Sequence, residues 1–206
     1  ALPTSFNTTA RRNLRFCFPD WPEDKIRRTQ RASFMNFMRT MVEMPHVYRL
    51  SSQKFARMTT THGAELADKY PQAMMLTGHL GNWDMLSHWL AQKDGLKLAA
   101  VYRAANNPLV DKLMVGLRSR SGIMPIAKGA KGARLMLKAI KEGYSIGLLN
   151  DQKMNDGVPA PFFGTDVMTA PGAAEIAAKK DLPVMMSRCL RKPGGHFELT
   201  LYPPLE

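Results

Sequence analysis

Two side chains suited to acid–base chemistry, His79 and Asp84, stand five positions apart in the sequence. Within one helix, residues five apart diverge by about 140°, because 3.6 residues complete a turn. The two side chains can therefore meet only if His79 lies in a turn and Asp84 lies in the first turn of the helix that follows. Asp84 would then accept a hydrogen bond from one imidazole nitrogen, and the other nitrogen would be a base suited to neutral pH. Such a dyad activates a hydroxyl group that the substrate brings, without a serine nucleophile.

The same spacing is also expected of an ordinary loop histidine followed by a helix N-terminal acid, so the surrounding sequence has to decide. A strand-like apolar run ends at Thr77, and Gly78 and Gly81 lie on either side of the histidine. Glycines allow tight turns and the close approach of another molecule, and Asn82 is suited to cap the next helix. Strand-to-helix turns of this kind bind ligands at the carboxyl edge of open α/β sheets. Gly81 and Asn82 are accordingly expected to lie against the bound substrate.

The composition is that of an ordinary globular protein with an unusually basic charge. The 206 residues, 45% hydrophobic and 22% charged, are enough for one domain with a substantial core. Twenty-nine Lys and Arg against 17 acids give a net charge of +12, which favours an anionic partner: a nucleic acid, a membrane surface or a phosphorylated substrate. The two cysteines, Cys17 and Cys189, lack metal-ligand spacing, so neither a metal site nor a disulfide scaffold is expected. No apolar stretch approaches the roughly 20 residues that span a bilayer.

Hydrophobic periodicity predicts a helical first third and an α/β remainder. One helix is expected to start after a capping Asp20 and to continue to Pro45, and a second is expected over about Ser52–Tyr70, loosened by Gly63. From Pro71 onwards strands and helices alternate, which is typical of a mainly parallel sheet flanked by helices. The last two strands lie too close together for a helix between them and are expected to pair antiparallel at an edge. The predicted strands are Ala73–Thr77, Leu96–Tyr102, Ile123–Ala127, Ser145–Asn150, Pro183–Leu190 and Phe197–Tyr202. The predicted helices are Asn82–Gln92, Pro108–Arg120, Ala130–Glu142 and Pro171–Lys180.

These patterns predict a single domain over residues 1–206, with a helical segment to about residue 70 in front of an α/β core from residue 71. The chain opens without a Met and stops at Glu206, directly after a strand-like run. It is therefore expected to be a piece of a longer protein.

Five motifs in order resemble one enzyme family. The segment 77–84, Thr-Gly-His-Leu-Gly-Asn-Trp-Asp, resembles the signature of the lipid A late acyltransferases, the lauroyl and myristoyl transferases of Gram-negative bacteria. The other four follow in the family's order: Tyr102-Arg103 with Asn106-Asn107-Pro108-Leu109, Arg118-Ser119-Arg120-Ser121-Gly122, Asn150-Asp151-Gln152 and Pro161-Phe162-Phe163-Gly164. The match runs from about Phe18 to Leu205. The chain departs from the family at Asp84, where Glu is usual, and at Ala104 and Asn150, where prolines are usual.

The resemblance implies a glycerolipid acyltransferase-like α/β fold and the transfer of a fatty acyl chain. The donor would be the thioester of acyl carrier protein, and the acceptor would be a hydroxyl of a lipid A precursor, a phosphorylated glycolipid. The reaction would need neither a cofactor nor an acyl-enzyme intermediate. The resemblance also implies attachment to the cytoplasmic face of the inner membrane by an amino-terminal anchoring helix, expected to lie outside these 206 residues. Because of the departures, another acceptor such as a lysophospholipid or an aminolipid stays open.

The resemblance assigns catalytic roles to several residues. His79 would remove the proton from the acceptor hydroxyl, and Asp84 would orient the imidazole and stabilise its charged form. Either Arg118 or Arg120 would supply the donor for the oxyanion that forms on the thioester carbonyl. Asp151, at the end of a buried-looking strand, would position such an arginine or bind acceptor hydroxyls.

Other residues are candidates for substrate binding. Arg103 follows a strand and is suited to hold a phosphate bidentately, and Gln152 is a further polar contact. Asn107 belongs to the matching motif, although the proline after it favours a role as a helix cap. A basic run at the start of a helix would either bind the acceptor phosphates or acidic acyl carrier protein, or be a solvated helix face: Lys128, Lys131 and Arg134.

Two other classes of function are disfavoured. The net charge alone would suit a nucleic-acid-binding module, but the chain has no helix-turn-helix, zinc or aromatic RNA-stacking signature. A serine esterase is disfavoured because no G-x-S-x-G nucleophile elbow occurs. The 15 methionines would suit a flexible acyl site but are expected to be mostly ordinary core residues.

Overall fold

A computed structural model describes residues 5–205 and begins with two helices that pack on each other. Helix α1 spans Ser5–Cys17 and α2 spans Glu23–Val47. Helix α2 starts after Pro22, whose fixed φ suits a helix start, and no side chain caps it. The predicted Asp20 cap is therefore wrong, and α2 continues two residues past Pro45. No helix in the described part of the chain is long and apolar enough to cross a membrane.

A seven-stranded sheet forms the centre of the molecule. Its strands are β1 (Thr59–His62), β2 (Met74–Thr77), β3 (Leu98–Tyr102), β4 (Ile123–Ala127), β5 (Ser145–Leu149), β8 (Val184–Arg191) and β9 (Phe197–Pro204). Their order in the sheet is β1-β9-β8-β2-β5-β3-β4; β8 and β9 pair antiparallel, and the other neighbours run parallel. The mainly parallel sheet and its antiparallel pair are confirmed, and the six predicted strands are found within two residues of their expected ends.

Strand β1 lies where a helix was predicted. The expected helix over Ser52–Tyr70 is instead α3 (Ser52–Met58), β1 and α4 (Ala64–Lys69). Three threonines in β1 favour extended backbone because they are β-branched, and they pair in parallel with β9. Gly63 adopts φ +71, and a Cβ there would lie 2.2 Å from the carbonyl oxygen of Leu201. Tertiary pairing therefore overrides the helical pattern.

Helices cover both faces of the sheet and create two apolar cores. Helices α5 (Trp83–Ala91) and α6 (Pro108–Arg120), together with α2 and α3, cover one face, where the core includes Met75, Leu86 and Leu98. Helices α7 (Ala130–Lys141) and α8 (Gly172–Lys180) cover the other face, where the core includes Ile126 and Ile146. The four helices predicted in this region are confirmed within one residue at each end.

A separate β-hairpin, which was not predicted from the sequence, follows β5. Strands β6 (Lys153–Phe162) and β7 (Thr165–Thr169) pair antiparallel, with an irregularity between Lys153 and Val158. Most of the side chains of β6 are exposed, so the alternation of apolar and polar residues that marks a half-buried strand is missing. At the tip, the ring of Phe163 packs edge-on against Phe18, with 5.2 Å between the centroids.

Candidate active site

A cavity of about 370 Å³ lies at the carboxyl edge of the sheet, between the sheet and helices α2, α5 and α6. This is the edge at which ligands bind in open α/β sheets. Apolar side chains line most of the cavity, and polar and charged side chains gather near the ends of β2, β3 and β5. Of the residues predicted for the site, six line it: His79, Asp84, Arg103, Arg118, Lys128 and Gln152.

The turn between β2 and α5 presents His79 to Asp151, which follows β5. The ring Nδ1 of His79 lies 2.7 Å from Oδ1 of Asp151, and the backbone N–H of His79 donates to Oδ2 at 2.7 Å. A Cβ on residue 78 would lie 3.2 Å from Oδ2, so Gly78 allows this close approach. The indole of Trp83 meets the imidazole edge-on at 4.8 Å between centroids. Because Asp151 engages Nδ1, the ring nitrogen left to act on a substrate is Nε2.

The carboxylate that pairs with His79 is therefore not the predicted one. None of the described hydrogen bonds joins Asp84 to the imidazole; Asp84 lies at the second position of α5, and its side chain is directed into the interior towards α2 and α6. Asp151 reaches the imidazole because β2 and β5 are parallel neighbours, with Thr77 opposite Leu149, so the turns after both strands meet. The spacing in sequence pointed to Asp84, whereas the strand order brings Asp151 to the ring.

Hydrogen bonds to His79 keep Asp151 ionised. Partial burial by itself raises the pKa of the Asp151 carboxyl, but hydrogen bonds from the ring and from the backbone of His79 outweigh it, and the pKa lies below its usual range. An ionised Asp151 can fix the orientation of the imidazole and balance a positive charge that develops on it.

Asp84 belongs to a buried cluster with Tyr48 and Arg118. Asp84 is 1% exposed; its Oδ1 accepts hydrogen bonds from the Tyr48 hydroxyl and, at 2.9 Å, from Nη2 of Arg118. Arg118 Nε also donates to the Tyr48 hydroxyl oxygen at 3.4 Å. Three elements thus meet at one ion pair: the end of α2, the start of α5 and the last turn of α6.

Burial and charge act in opposite directions on this cluster. Burial disfavours the charged guanidinium, yet Asp84 and Tyr48 outweigh it and raise the pKa of Arg118 further above its ordinary value. Burial, reinforced by the Asp84 charge, raises the pKa of Tyr48 well above its ordinary value, so Tyr48 stays a neutral hydroxyl. Asp84 Oδ2 and Arg118 Nη1 are buried and lack a hydrogen-bond partner among the described residues.

The structure distinguishes between the two arginines that the sequence left open. Arg118 is 7% exposed, lines the cavity and lies with its guanidinium 5.6 Å from the ring centroid of Tyr102. Arg120, in the same last turn of α6, is exposed and does not line the cavity. Residues two apart on a helix point about 200° apart, which separates the two side chains. Arg118 is therefore the arginine that can act at this site.

Asn82 and Gly81, which were predicted to contact substrate, hydrogen-bond to other parts of the protein and do not line the cavity. Asn82 is fully buried; its Oδ1 accepts the backbone N–H of Asp84 and its Nδ2 donates to Oε2 of Glu43. The predicted capping of α5 by Asn82 is confirmed. The carbonyl oxygen of Gly81 accepts hydrogen bonds from two side chains of α2, the hydroxyl of Thr40 and the amide of Asn36. At φ +56, a Cβ on residue 81 would lie 2.4 Å from the carbonyl oxygen of Cys189.

The remaining candidates divide into two groups. Arg103, Lys128 and Gln152 are exposed and line the cavity, so they can reach a bound substrate. Asn107 caps α6 through its Oδ1, which accepts the N–H of residue 109 at 2.9 Å, and it does not line the cavity. Arg134 is exposed on α7, outside the cavity. Asn107 is therefore structural in this arrangement, and Arg134 belongs to the outer surface.

The side chains that hold α2 against the turn carrying His79 were not predicted from the sequence. Arg191 on β8 binds Glu43 with both terminal nitrogens, and its Nε donates to Asn36 at 3.0 Å. Glu43 in turn accepts from Asn82, the residue that caps α5. Tyr48, the partner of Asp84, was missed as well. These residues lie 36 to 155 positions from their partners, so no local spacing in the sequence marks them.

The model of the family described as bacterial lipid A biosynthesis acyltransferase matches residues 3–206. The chain belongs to this family. Among curated relatives, a lipid A biosynthesis acyltransferase of Haemophilus influenzae is 23% identical over 206 residues, which cover 96% of this chain and 64% of the relative. The lipid A biosynthesis lauroyltransferase of Escherichia coli (strain K12) is 28% identical over 208 residues, which cover 94% of this chain and 64% of the relative. The chain thus spans slightly less than two thirds of the length of these relatives.

Proposed function

We propose that the protein transfers a fatty acyl chain from a thioester of acyl carrier protein to a hydroxyl of a lipid A precursor. The observation that carries the proposal is a histidine oriented by a carboxylate at the mouth of a largely apolar cavity. Membership of the lipid A acyltransferase family supports the reaction class. The relatives' names, a lipid A biosynthesis acyltransferase and a lauroyltransferase, support the glycolipid acceptor and the fatty acyl chain.

In this mechanism His79 is the general base. Its Nε2 removes the proton from the acceptor hydroxyl while the oxygen attacks the thioester carbonyl, and Asp151 balances the charge on the imidazolium. The tetrahedral intermediate then collapses, the C–S bond breaks, and the imidazolium returns its proton to the departing thiolate. The products are an ester and a free thiol, and no bond to the enzyme forms.

Arg118 supports this chemistry by electrostatics. Its guanidinium borders the cavity and carries a buried positive charge, which favours the negative charge that develops on the carbonyl oxygen. Asp84 and Tyr48 hold the guanidinium in place through hydrogen bonds. Asp84 thus contributes to catalysis through Arg118, while Asp151 contributes through His79.

Basic residues around the cavity suit anionic substrates. Arg103 and Lys128 are exposed at its rim and would bind phosphates of the acceptor, with Gln152 as a polar contact. Lys131 and Arg134 extend this basic surface along α7 and would meet acidic acyl carrier protein. The net charge of +12 also favours an anionic membrane surface. We therefore propose that the protein works at a membrane surface, and membership of the lipid A acyltransferase family supports the cytoplasmic face of the inner membrane.

The test is acyl transfer by the full-length protein, with products identified by mass. Wild type is incubated with acyl–acyl carrier protein and a tetra-acyl, sugar-bearing lipid A precursor, beside His79→Ala and Asp151→Asn. Loss of a general base costs about 10²- to 10⁴-fold in rate, so both variants should lose most of the mass gain of one acyl group. His62→Ala, which alters an exposed histidine on β1 outside the cavity, is the matched control and should keep the wild-type rate.

Different results would contradict different parts of the proposal. Near-wild-type transfer by folded His79→Ala would rule out the general base. Transfer to a lysophospholipid or an aminolipid, but not to the lipid A precursor, would keep the chemistry and change the acceptor. That second candidate stays open because of Asp84 and Ala104, two positions where the sequence departs from the family's motifs.

A further inference from the structure

The floor of the active-site cavity is one face of the sheet, and at the middle of this face two neighbouring strands, β5 and β3, carry only a glycine and an alanine. Side chains on a strand alternate between the two faces of the sheet. The register sets Met75, Gly147 and Ala100 side by side on the interior strands β2, β5 and β3, and all three line the cavity. Gly147 and Ala100 are only half-buried because open space lies above them. At this row, the cavity takes the volume that side chains normally occupy.

The cavity extends away from the catalytic residues along these strands. Tyr102 at the end of β3 lies in the row nearest the polar rim, whereas Leu98 at the start of β3 lines the opposite end. The two residues are about 13 Å apart along the strand at 3.3 Å per residue, and the row of Gly147 lies roughly halfway between them. The walls around the inner half are apolar: Met44, Leu86 and Leu90. An extended hydrocarbon chain that enters beside the imidazole would run over Gly147.

We propose that this inner half of the cavity binds the transferred acyl chain and that Gly147, with Ala100 beside it, sets the longest chain that the protein accepts. The inference rests on the proposed acyl transfer and adds the determinant of chain length, which that function leaves open. Each methylene that leaves water on binding strengthens the interaction about fourfold. A side chain at position 147 would occupy the space that the distal methylenes need, so the preference for long donors is lost without any change to the catalytic groups.

The local geometry allows this change to be made cleanly. A Cβ on residue 147 would lie 3.4 Å from Cδ1 of Leu98 and 3.9 Å from the carbonyl oxygen of Ala99, which are ordinary van der Waals contacts. Valine suits the extended backbone of β5, and the atoms beyond its Cβ would extend into the cavity. Gly147→Ala adds a smaller group and serves as the second variant if valine impairs folding. Gly172, at the start of α8, has open space around it outside the cavity, so Gly172→Val is the matched control.

The experiment measures kcat/KM of the full-length protein for a series of saturated acyl–acyl carrier proteins of increasing chain length, with one acceptor. For Gly147→Val, we expect kcat/KM to fall about fourfold relative to wild type for each methylene excluded, so that the loss grows with chain length and the preferred donor is shorter. Gly147→Ala should shift the profile less, and Gly172→Val should keep the wild-type profile. A folded, active Gly147→Val enzyme with an unchanged donor profile would overturn the inference.

Two further measurements distinguish the acyl chain of the donor from that of the acceptor, and the chain-length limit from the proposed acyl transfer. If Gly147→Val changes the preference among acceptors with different acyl chains while the donor profile stays constant, the cavity holds the acceptor's chain and the inference fails. Displacement of a fluorescent fatty acid by unlabelled fatty acids of increasing length probes the cavity without turnover. A wild type that binds long fatty acids but transfers no acyl group contradicts the proposed function. A Gly147→Val variant that binds every length as wild type does contradicts the length limit.

Discussion

Two arginines in the same turn of α6 provide a direct test of the buried cluster beside the cavity. Arg118→Met removes the guanidinium that pairs with Asp84 at 2.9 Å, and both side chains are almost fully buried, 9% and 2% exposed. Methionine keeps the length and most of the apolar volume of the stem but leaves the carboxylate as an unpaired charge in the interior. Arg120→Met makes the same chemical change at an exposed position of the same turn.

The expected magnitudes differ by several kcal/mol. Breaking a buried ion pair by removing one partner costs about 3–5 kcal/mol, and we expect Arg118→Met to lower the free energy of unfolding by that amount. For a protein of this size, 1 kcal/mol corresponds to about 2–4 °C in Tm, so Tm should fall by roughly 6–20 °C. Arg120→Met should stay within about 0.5 kcal/mol of wild type. Urea unfolding followed by circular dichroism measures both variants under the same conditions.

A double variant shows whether the loss comes from the unpaired charge. Asp84→Asn combined with Arg118→Met leaves no charge in this cluster, and the Asn amide oxygen can still accept the hydrogen bond from the Tyr48 hydroxyl. Most of the stability lost in Arg118→Met should therefore return, since removing both members of a buried pair is often neutral. If the two arginine variants differ by less than about 1 kcal/mol, or if the double variant is as unstable as Arg118→Met, the buried pair does not form in solution and the reasoning is refuted.

Three more outcomes follow from single positions. Because burial raises the pKa of Cys189 to about 11, we expect a thiol reagent at pH 8 to modify Cys17 first and Cys189 only after unfolding; equal reaction rates in the folded protein would contradict this. Gly81→Ala should destabilise the protein by more than Gly164→Ala. Both residues have positive φ, but a Cβ at position 81 would lie 2.4 Å from a backbone oxygen, whereas nothing lies within 4 Å of one at position 164. Urea unfolding of the two variants therefore separates the cost of the clash from the cost of the positive φ. The pKa of Asp151 is lowered in the folded state, so the ionised carboxylate adds to the free energy of unfolding above about pH 4, and this stabilisation is lost as pH falls through the lowered pKa. The difference in stability between wild type and Asp151→Asn should therefore shrink in that pH range. A difference that stays constant with pH would contradict an ionised Asp151.

Local patterns in the sequence determined most of the secondary structure. Strands such as β4 and helices such as α6 were predicted with their observed ends because apolar runs, a capping Asn107 and Pro108 are signals that neighbouring residues carry. The predicted Ser52–Tyr70 helix failed because β1 exists only through its pairing with β9. The hairpin of β6 and β7 was missed because its exposed strands lack alternation. Neither β1 nor the hairpin carries the local apolar pattern that predicted the other strands.

The candidate active site was likewise predicted only in part from the sequence. The sequence by itself determined that His79 lies in a glycine-bounded turn ahead of a helix capped by Asn82, and its motifs determined the family. Only the tertiary structure decided which carboxylate meets the imidazole. Sequence spacing favoured Asp84, but the parallel pairing of β2 with β5 brings Asp151 to the ring, and the start of α5 directs Asp84 towards Arg118. The physical reason is that the direction of a side chain depends on the element that carries it, and the partner it finds depends on the order of the strands, which no spacing along the chain encodes.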